Sequence, residues 1–441
     1  MFQRKVYQKL MIWKEKYASK QACLLEGARQ VGKTTIAEHF AQNEYTSYIK
    51  IDFANTTEEI LDIFSNTAKL DLLFLRLQTE TGIKLTEGES AIIFDQIQCN
   101  SKARNIAKDL VKDGRYHYIE TADFLYSNRK SEEASEYKIK MYPMDYEEFL
   151  WAAENPNYEL LQKLYERKKE VGQQLNRKLM RDFRIYMAVG GMPQAVDAYV
   201  KGKNFTEIDA VKRTILSLYE DDFKKIDASG KITAMFHSIP AQLSKDTKRY
   251  VISSATGKRK SKKDEELLYD LADSKTVLLT YNSSDPRVSL AMTKDLKSYK
   301  MYLCDTGLFV TLMFMDRPAA ENDIYAKLLS DKLPANLGYL YENAVAQMIA
   351  SMDRELYYHT WKKKDTSHYY EIDFLLSMKD KIRALEIKSS GTGKHESILK
   401  FREKYSKNVK DTYIISQKDV GKKGNLKFLP VYFVPFLLRD F

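Results

Sequence analysis

Glu386-Ile387-Lys388, preceded by Glu371-Ile372-Asp373 and by Tyr341-Glu342-Asn343, brings four charged residues into an order suited to metal-assisted cleavage of a phosphodiester. In Ala384-Leu385-Glu386-Ile387-Lys388 the side chains of a strand alternate, so Glu386 and Lys388 share one face while Leu385 and Ile387 share the other. Tyr370 to Leu376 reads as a second strand, and the polar stretch Ser377 to Arg383 is short enough to join the two as a hairpin. Neighbouring strands then bring Asp373 to within roughly 5 Å of Glu386. Carboxylates that close repel one another unless a cation lies between them. Mg²⁺, which takes one or two carboxylates plus phosphate oxygens, is the expected ion, with Asp373 and Glu386 as its ligands. Lys388 then stabilises developing charge or orients the attacking water, and Glu342 on a helical segment assists the metal or the water. The alternative for Glu-x-Lys is a solvated ion pair on an edge strand.

A second chemical signal lies near the start. The apolar strand candidate Ala22-Cys23-Leu24-Leu25 runs into Gly27-Ala28-Arg29-Gln30-Val31-Gly32-Lys33-Thr34-Thr35, a full G-x-x-x-x-G-K-[ST] loop. Such a loop closes backbone N–H groups around phosphates, Lys33 reaches the β and γ phosphates, and the Thr34 hydroxyl binds Mg²⁺ at a helix N-terminus. ATP is the expected ligand. Ala91-Ile92-Ile93-Phe94-Asp95 supplies the second strand that such a site needs, with Asp95 placed to hold the Mg²⁺ shell.

The set Glu342, Asp373, Glu386 and Lys388 resembles the PD-(D/E)XK nuclease superfamily, in which a helix acid, a strand Asp and a following Glu-x-Lys make the site. Over nearly its whole length the chain resembles prokaryotic AAA+ ATPases that carry a C-terminal nuclease-like domain of unknown function. The resemblance rests on the phosphate loop, Asp95-Gln96-Ile97-Gln98, Ala103-Arg104-Asn105, Tyr142-Pro143-Met144-Asp145-Tyr146-Glu147-Glu148-Phe149-Leu150-Trp151, Gly190-Gly191-Met192-Pro193, Ser238 to Lys245 and Tyr302 to Leu308. It implies a P-loop core, a helical lid and metal-dependent hydrolysis at the C-terminal site. Two departures stand out. Where such ATPases have a Glu that polarises the attacking water, this chain has Gln96, an amide that cannot accept the proton. Phosphate cradling is made in the ground state too, so binding is expected to survive while hydrolysis slows. Gln96 is either natural or introduced to trap nucleotide. The second departure is Ile119-Glu120-Thr121-Ala122-Asp123, where the family usually has Thr-Gly-Ser; Thr121 can still sense the γ phosphate.

The elements between these motifs read as support. Tyr158 to Val200 is helical in pattern and resembles the lid that follows an AAA+ core, with Arg181 and Arg184 as either γ-phosphate sensors or surface residues. Helices after Thr233 followed by Thr276 to Tyr281 and Lys300 to Leu303, around the turn residues Asn282 to Pro286, suggest a winged helix. Lys245, Lys248, Arg249, Lys258-Arg259-Lys260 and Lys262-Lys263 give that region a basic density that suits a phosphate backbone or a solubilising loop.

The expected architecture is therefore multidomain α/β: a P-loop AAA+ core over 1–155, a helical lid over 156–230, a winged-helix domain over 231–315 and a PD-(D/E)XK-like domain over 316–441. The boundaries fall at Asn155-Pro156-Asn157, at Asp227 to Gly230 and at Asp316 to Asn336. With 71 basic and 61 acidic residues the net charge is +10, which favours an anionic partner such as DNA. Three scattered cysteines suit a reducing cytoplasm and offer no zinc spacing. No apolar run reaches membrane-spanning length and no secretory segment opens the chain, so a cytoplasmic protein without a membrane partner is expected. The resulting expectation is an ATP-binding protein acting on DNA, able to assemble with copies of itself, whose nucleotide state gates a metal-dependent nuclease site. The competing expectation is a nucleotide-binding switch or scaffold whose nuclease-like domain docks protein or DNA without cutting.

Overall fold

The computed structural model describes every residue except 67–68, 124–135, 246, 258–260, 318–323, 331–337, 365, 380, 390–394 and 441. The expected basic run Lys258-Arg259-Lys260 and most of the expected boundary from Asp316 to Asn336 lie outside the described residues. The chain divides into two compact units, one of Met1–Tyr142 with Asp273–Lys275, the other of Pro143–Ala272 with Thr276–Phe441.

In the first unit a five-stranded sheet runs in the order β2-β3-β4-β1-β5, with β1 at Ala22–Glu26, β2 at Ser47–Asp52, β3 at Ser90–Asp95, β4 at His117–Ala122 and β5 at Glu136–Lys140. Every pairing is parallel. Strands buried on both faces need continuous apolar runs, and Ala22-Cys23-Leu24-Leu25 and Ala91-Ile92-Ile93-Phe94 are such runs, fully buried as expected. One side of the sheet packs Leu24, Ile49, Ile92 and Phe94 against Leu73, Leu77 and Leu110 from the covering helices. Parallel strands open ligand crevices at their carboxyl ends. Here the carboxyl ends of β1, β4 and β3 lie side by side.

The second unit holds an eight-stranded mixed sheet in the order β12-β13-β11-β10-β9-β8-β6-β7. Its strands are β6 Val277–Ser283, β7 Lys294–Leu303, β8 Leu356–Lys362, β9 Tyr369–Met378, β10 Lys381–Ile387, β11 Val409–Ser416, β12 Gly421–Lys423 and β13 Leu426–Pro430. The expected hairpin β9-β10 is present, antiparallel, with Leu385 opposite Phe374; its strands run further towards the turn than the sequence suggested. The other hairpin differs from expectation. β6 and β7 do pair antiparallel, but β6 also pairs in parallel with β8, Thr280 opposite Leu356. The two strands therefore extend the C-terminal sheet instead of standing apart as the wing of a winged helix.

The boundary expected at residue 155 also moves. Residues after Tyr142 belong with the second unit because Met144 donates its backbone N–H to Gly191 at 2.7 Å, and the Asp145 carboxylate caps the helix Tyr146–Ala152. The helical stretch expected from Tyr158 to Val200 consists of helices Tyr158–Arg167, Gln173–Val189 and Pro193–Val200.

Candidate functional site

The loop between β1 and the helix Lys33–Glu44 follows from its residue types. Gly32 sits at φ 93°, which a side chain disfavours, and Gln30 also takes a left-handed conformation at φ 68°. A Cβ on Gly27 would lie 2.2 Å from the Met141 carbonyl oxygen, so only glycine lets the two backbones pass. Ala28 and Val31 are buried, Arg29 and Gln30 half-buried, and Thr35 exposed. Lys33 is buried, and its ammonium donates to the carbonyls of Gly27 and Ala28 at 2.9 and 2.8 Å. It also meets the Asp123 carboxylate at 2.5 Å.

Thr34 and Asp95 come together as expected: the Thr34 hydroxyl donates to Asp95 Oδ1 at 2.7 Å. Thr121, at the end of β4, donates to the same oxygen at 2.5 Å and accepts the Gln96 N–H at 3.0 Å. One neutral oxygen beside one carboxylate, next to a lysine and a glycine loop, fits Mg²⁺ that draws its remaining ligands from phosphate and water. Gln96 takes φ 54°, and its amide donates to Asp52 Oδ1 at 3.4 Å, a carboxylate at the end of β2 that the sequence reading missed. Asp52 pairs in register with Asp95, so the two ends are adjacent.

The acidic centre of the second unit is closer to neutral than the sequence suggested. Glu342, on the helix Gly338–Ser351, forms an ion pair with Lys248 and accepts the Tyr302 hydroxyl at 3.0 Å. The ammonium of Lys300, with a side chain 0 % exposed, lies 2.7 Å from Glu371, 3.6 Å from Asp373 and 3.9 Å from Glu342. Asp373 accepts the Ile387 N–H at 2.8 Å, which holds it beside the end of β10. Glu386 pairs with Lys388 at 2.7 Å, and its Oε2 has no hydrogen-bond partner among the described residues.

Electrostatics follow this arrangement. Burial alone would raise Glu342, but Lys248 and Lys300 hold its carboxyl below the usual range. Burial pushes Asp373 up, with Glu342 adding to it, to about 6. Burial opposes charge on Lys300, yet Glu371 and the other acids keep it well above the ordinary lysine value, so it stays an ammonium. Among the described residues no group of three or more His, Cys, Asp or Glu is placed to hold a metal ion. The Lys300 ammonium thus offsets the charge of Glu371, Asp373 and Glu342, while Glu386, the other expected metal ligand, keeps its Oε2 unpartnered among the described residues.

Lys300 and Lys248 were not singled out for this centre by the sequence, where Lys248 belonged to the basic track. Arg249 donates to the Lys297 carbonyl at 2.7 Å, while Lys245, Lys262 and Lys263 are exposed. Of the two lid arginines, Arg184 is buried and donates to Gln417 at 3.0 Å, and Arg181 is exposed.

Three of the remaining motif segments, Tyr142 to Trp151, Gly190 to Pro193 and Tyr302 to Leu308, meet in one buried cluster. Asp305 accepts the Gly191 N–H at 2.5 Å and the Leu308 N–H at 2.8 Å, and Gln347 donates to the Met144 carbonyl at 3.2 Å. A Cβ on Gly191 would lie 1.9 Å from the Met144 oxygen, and one on Gly307 would lie 2.3 Å from the Val189 oxygen. These glycines serve close backbone packing.

Comparison with known proteins agrees with the first unit's geometry. Residues 19–150 match the family model of the AAA domain, residues 180–319 that of a domain of unknown function (DUF8612), and residues 337–433 that of another domain of unknown function (DUF4143). Residues 19–150 are thus similar to the AAA domain of P-loop ATPases. Among solved structures it is similar to C. elegans PCH-2, at 10 % identity and TM-score 0.27 over 44 % of this chain and 56 % of that one. It is also similar to a signal-transduction ATPase with numerous domains and a tetratricopeptide repeat sensor from Pyrococcus horikoshii, at 13 % identity and TM-score 0.25 over 79 % and 48 %. The chain spans about half the length of these two structures. No curated protein matches it. No helix among the described residues is long and apolar enough to cross a membrane.

Proposed function

We propose that this AAA-type ATPase binds Mg²⁺-ATP at Lys33, Thr34 and Asp95, hydrolyses it slowly, and carries a C-terminal nuclease-like module that docks a partner without cutting nucleic acid. Mg²⁺ held with the nucleotide would offset the charge of the phosphates. Lys33 would hold the phosphates and Thr34 with Asp95 would hold the ion, while Thr121 fixes the Asp95 carboxylate. Gln96 can position a water but cannot take its proton, and binding without fast turnover is what a nucleotide-holding switch requires.

A single observation carries the second half of this reading: the Lys300 ammonium lies among Glu371, Asp373 and Glu342 at 2.7 to 3.9 Å. A buried lysine there supplies the positive charge that a divalent ion brings to a phosphodiester-cleaving centre, but it offers no open coordination position for substrate or water. The resemblance of Glu342, Asp373, Glu386 and Lys388 to a nuclease set then reports shared fold, and Glu386 with Lys388 is an ion pair. The test is cleavage of linear, nicked and single-stranded DNA with Mg²⁺ or Mn²⁺, with and without ATP, by the parent and by Asp373→Asn. No cutting by either is expected. Cutting by the parent that Asp373→Asn abolishes would restore the nuclease reading.

A further inference from the structure

Lys33 has three N–H donors, and all three are taken: by the carbonyls of Gly27 and Ala28 and by the Asp123 carboxylate. The two carbonyls belong to the phosphate loop itself. Asp123 does not; it follows β4, two residues after Thr121, so in an extended chain both side chains leave on the same side. Thr121 is fastened to Asp95, which puts that side at the metal end of the site. The ion pair is lopsided in exposure, with Lys33 at 4 % and Asp123 at 24 %. A phosphate reaches the buried lysine by displacing a bound acceptor, and Asp123, the one closest to solvent and outside the loop, is the one that can leave.

We infer that Asp123 is a carboxylate competitor for Lys33 that biases the site against triphosphates relative to diphosphates. The inference rests on the nucleotide-site reading given above. A diphosphate is held largely by the backbone N–H groups of the loop. The third phosphate adds negative charge at the Thr34, Asp95 and Thr121 end, beside the Asp123 carboxylate, where two like charges within a few ångströms repel in a half-buried setting. Displacing Asp123 from Lys33 is a cost that either nucleotide meets through its β phosphate, so the discrimination comes from the charge that the third phosphate adds beside Asp123. Asp123 thus determines which nucleotide the site prefers and how readily ADP yields to ATP, without touching the transferred group as a base or nucleophile.

The test is equilibrium titration of the full chain with Mg²⁺-ATP and Mg²⁺-ADP, comparing the parent with Asp123→Asn, Asp123→Ser and Asp123→Glu. Removal of the charge in the first two variants is expected to tighten ATP by roughly tenfold or more and ADP by much less, whereas Asp123→Glu keeps the parent's ratio. Asn and Ser change the side chain differently, so agreement between them excludes a folding defect peculiar to one. An unchanged ATP-to-ADP ratio in both overturns the inference while leaving the nucleotide site intact. Weaker ATP binding in both also overturns it and makes Asp123 a support for the bound ion. Absence of binding of either nucleotide, in the parent and all variants, defeats the nucleotide-site reading itself.

Discussion

Replacing Lys300 by alanine is the perturbation that the acidic centre makes most informative. The ammonium is wholly buried and lies within 4 Å of three carboxylates, at 2.7, 3.6 and 3.9 Å. Breaking a buried charge pair by deleting one partner costs about 3–5 kcal/mol, because the remaining charge stays desolvated. Lys248 still faces Glu342 and Asp373 can take a proton, so the lower end of that range, about 3 kcal/mol, is expected. For a unit of this size that corresponds to a fall of roughly 5 °C in the thermal midpoint. The more diagnostic effect concerns metal. The parent without nucleotide should melt at the same temperature with or without Mn²⁺, whereas Lys300→Ala leaves Glu371, Asp373 and Glu342 facing a vacated position. Mn²⁺ at a hundred times its dissociation constant would return about 2.7 kcal/mol to the variant. The assay is thermal unfolding followed by near-ultraviolet circular dichroism over a Mn²⁺ series. A variant as stable as the parent, or a parent stabilised by Mn²⁺ as much as the variant, would refute the reasoning.

Three other outcomes follow from particular contacts. Gln96→Glu places a carboxylate beside the proposed Mg²⁺ site, and phosphate release should rise by roughly 10²-fold; an unchanged rate would show that Gln96 is not what limits turnover. Glu120, on β4, is raised by burial and by Glu136, against Arg104, from 4.5 to about 7, so it folds as the neutral acid. The unfolded chain releases that proton near its ordinary value, so stability falls as pH rises from about 4.5 to about 7, by about 3 kcal/mol in all. Glu120→Gln should flatten that slope in thermal midpoints taken across the window, and a slope retained by the variant would assign it elsewhere. Gly191→Ala forces a Cβ against the Met144 carbonyl 1.9 Å away and should cost about 3 kcal/mol in denaturant unfolding, with a parent-like midpoint as the contrary result.

The nucleotide site was legible because its determinants are local. Gly27 to Thr35 is one continuous loop, and β3 announces itself as an apolar run ending in an acid. Asp123 was visible only as a departure from pattern, since its meeting with Lys33 spans 90 residues of chain and has no spacing signature. Lys300 was hidden for a related reason: it stands on β7, separated from β9 by β6 and β8, and no alternation rule connects it to Glu371 or Asp373. The β6-β7 hairpin was recognisable as a hairpin from its turn residues, but a hairpin looks the same whether it ends a winged helix or edges a larger sheet. The parallel pairing of β6 with β8, made across a long connection, decides between them. Gly190-Gly191-Met192-Pro193 and Asp305-Thr306-Gly307 could be noticed in the sequence, whereas their purpose, two backbones in contact around a buried carboxylate, exists only in three dimensions.

We propose that, among the described residues, the nucleotide site alone takes a divalent ion, while the Lys300 ammonium serves the acidic centre as its cation. Counting bound Mn²⁺ by electron paramagnetic resonance in the parent, with and without ATP, tests it most directly. No tightly bound Mn²⁺ is expected without nucleotide and one with ATP, the latter lost in Lys33→Ala. An ATP-independent Mn²⁺ that disappears in Asp373→Asn would contradict it.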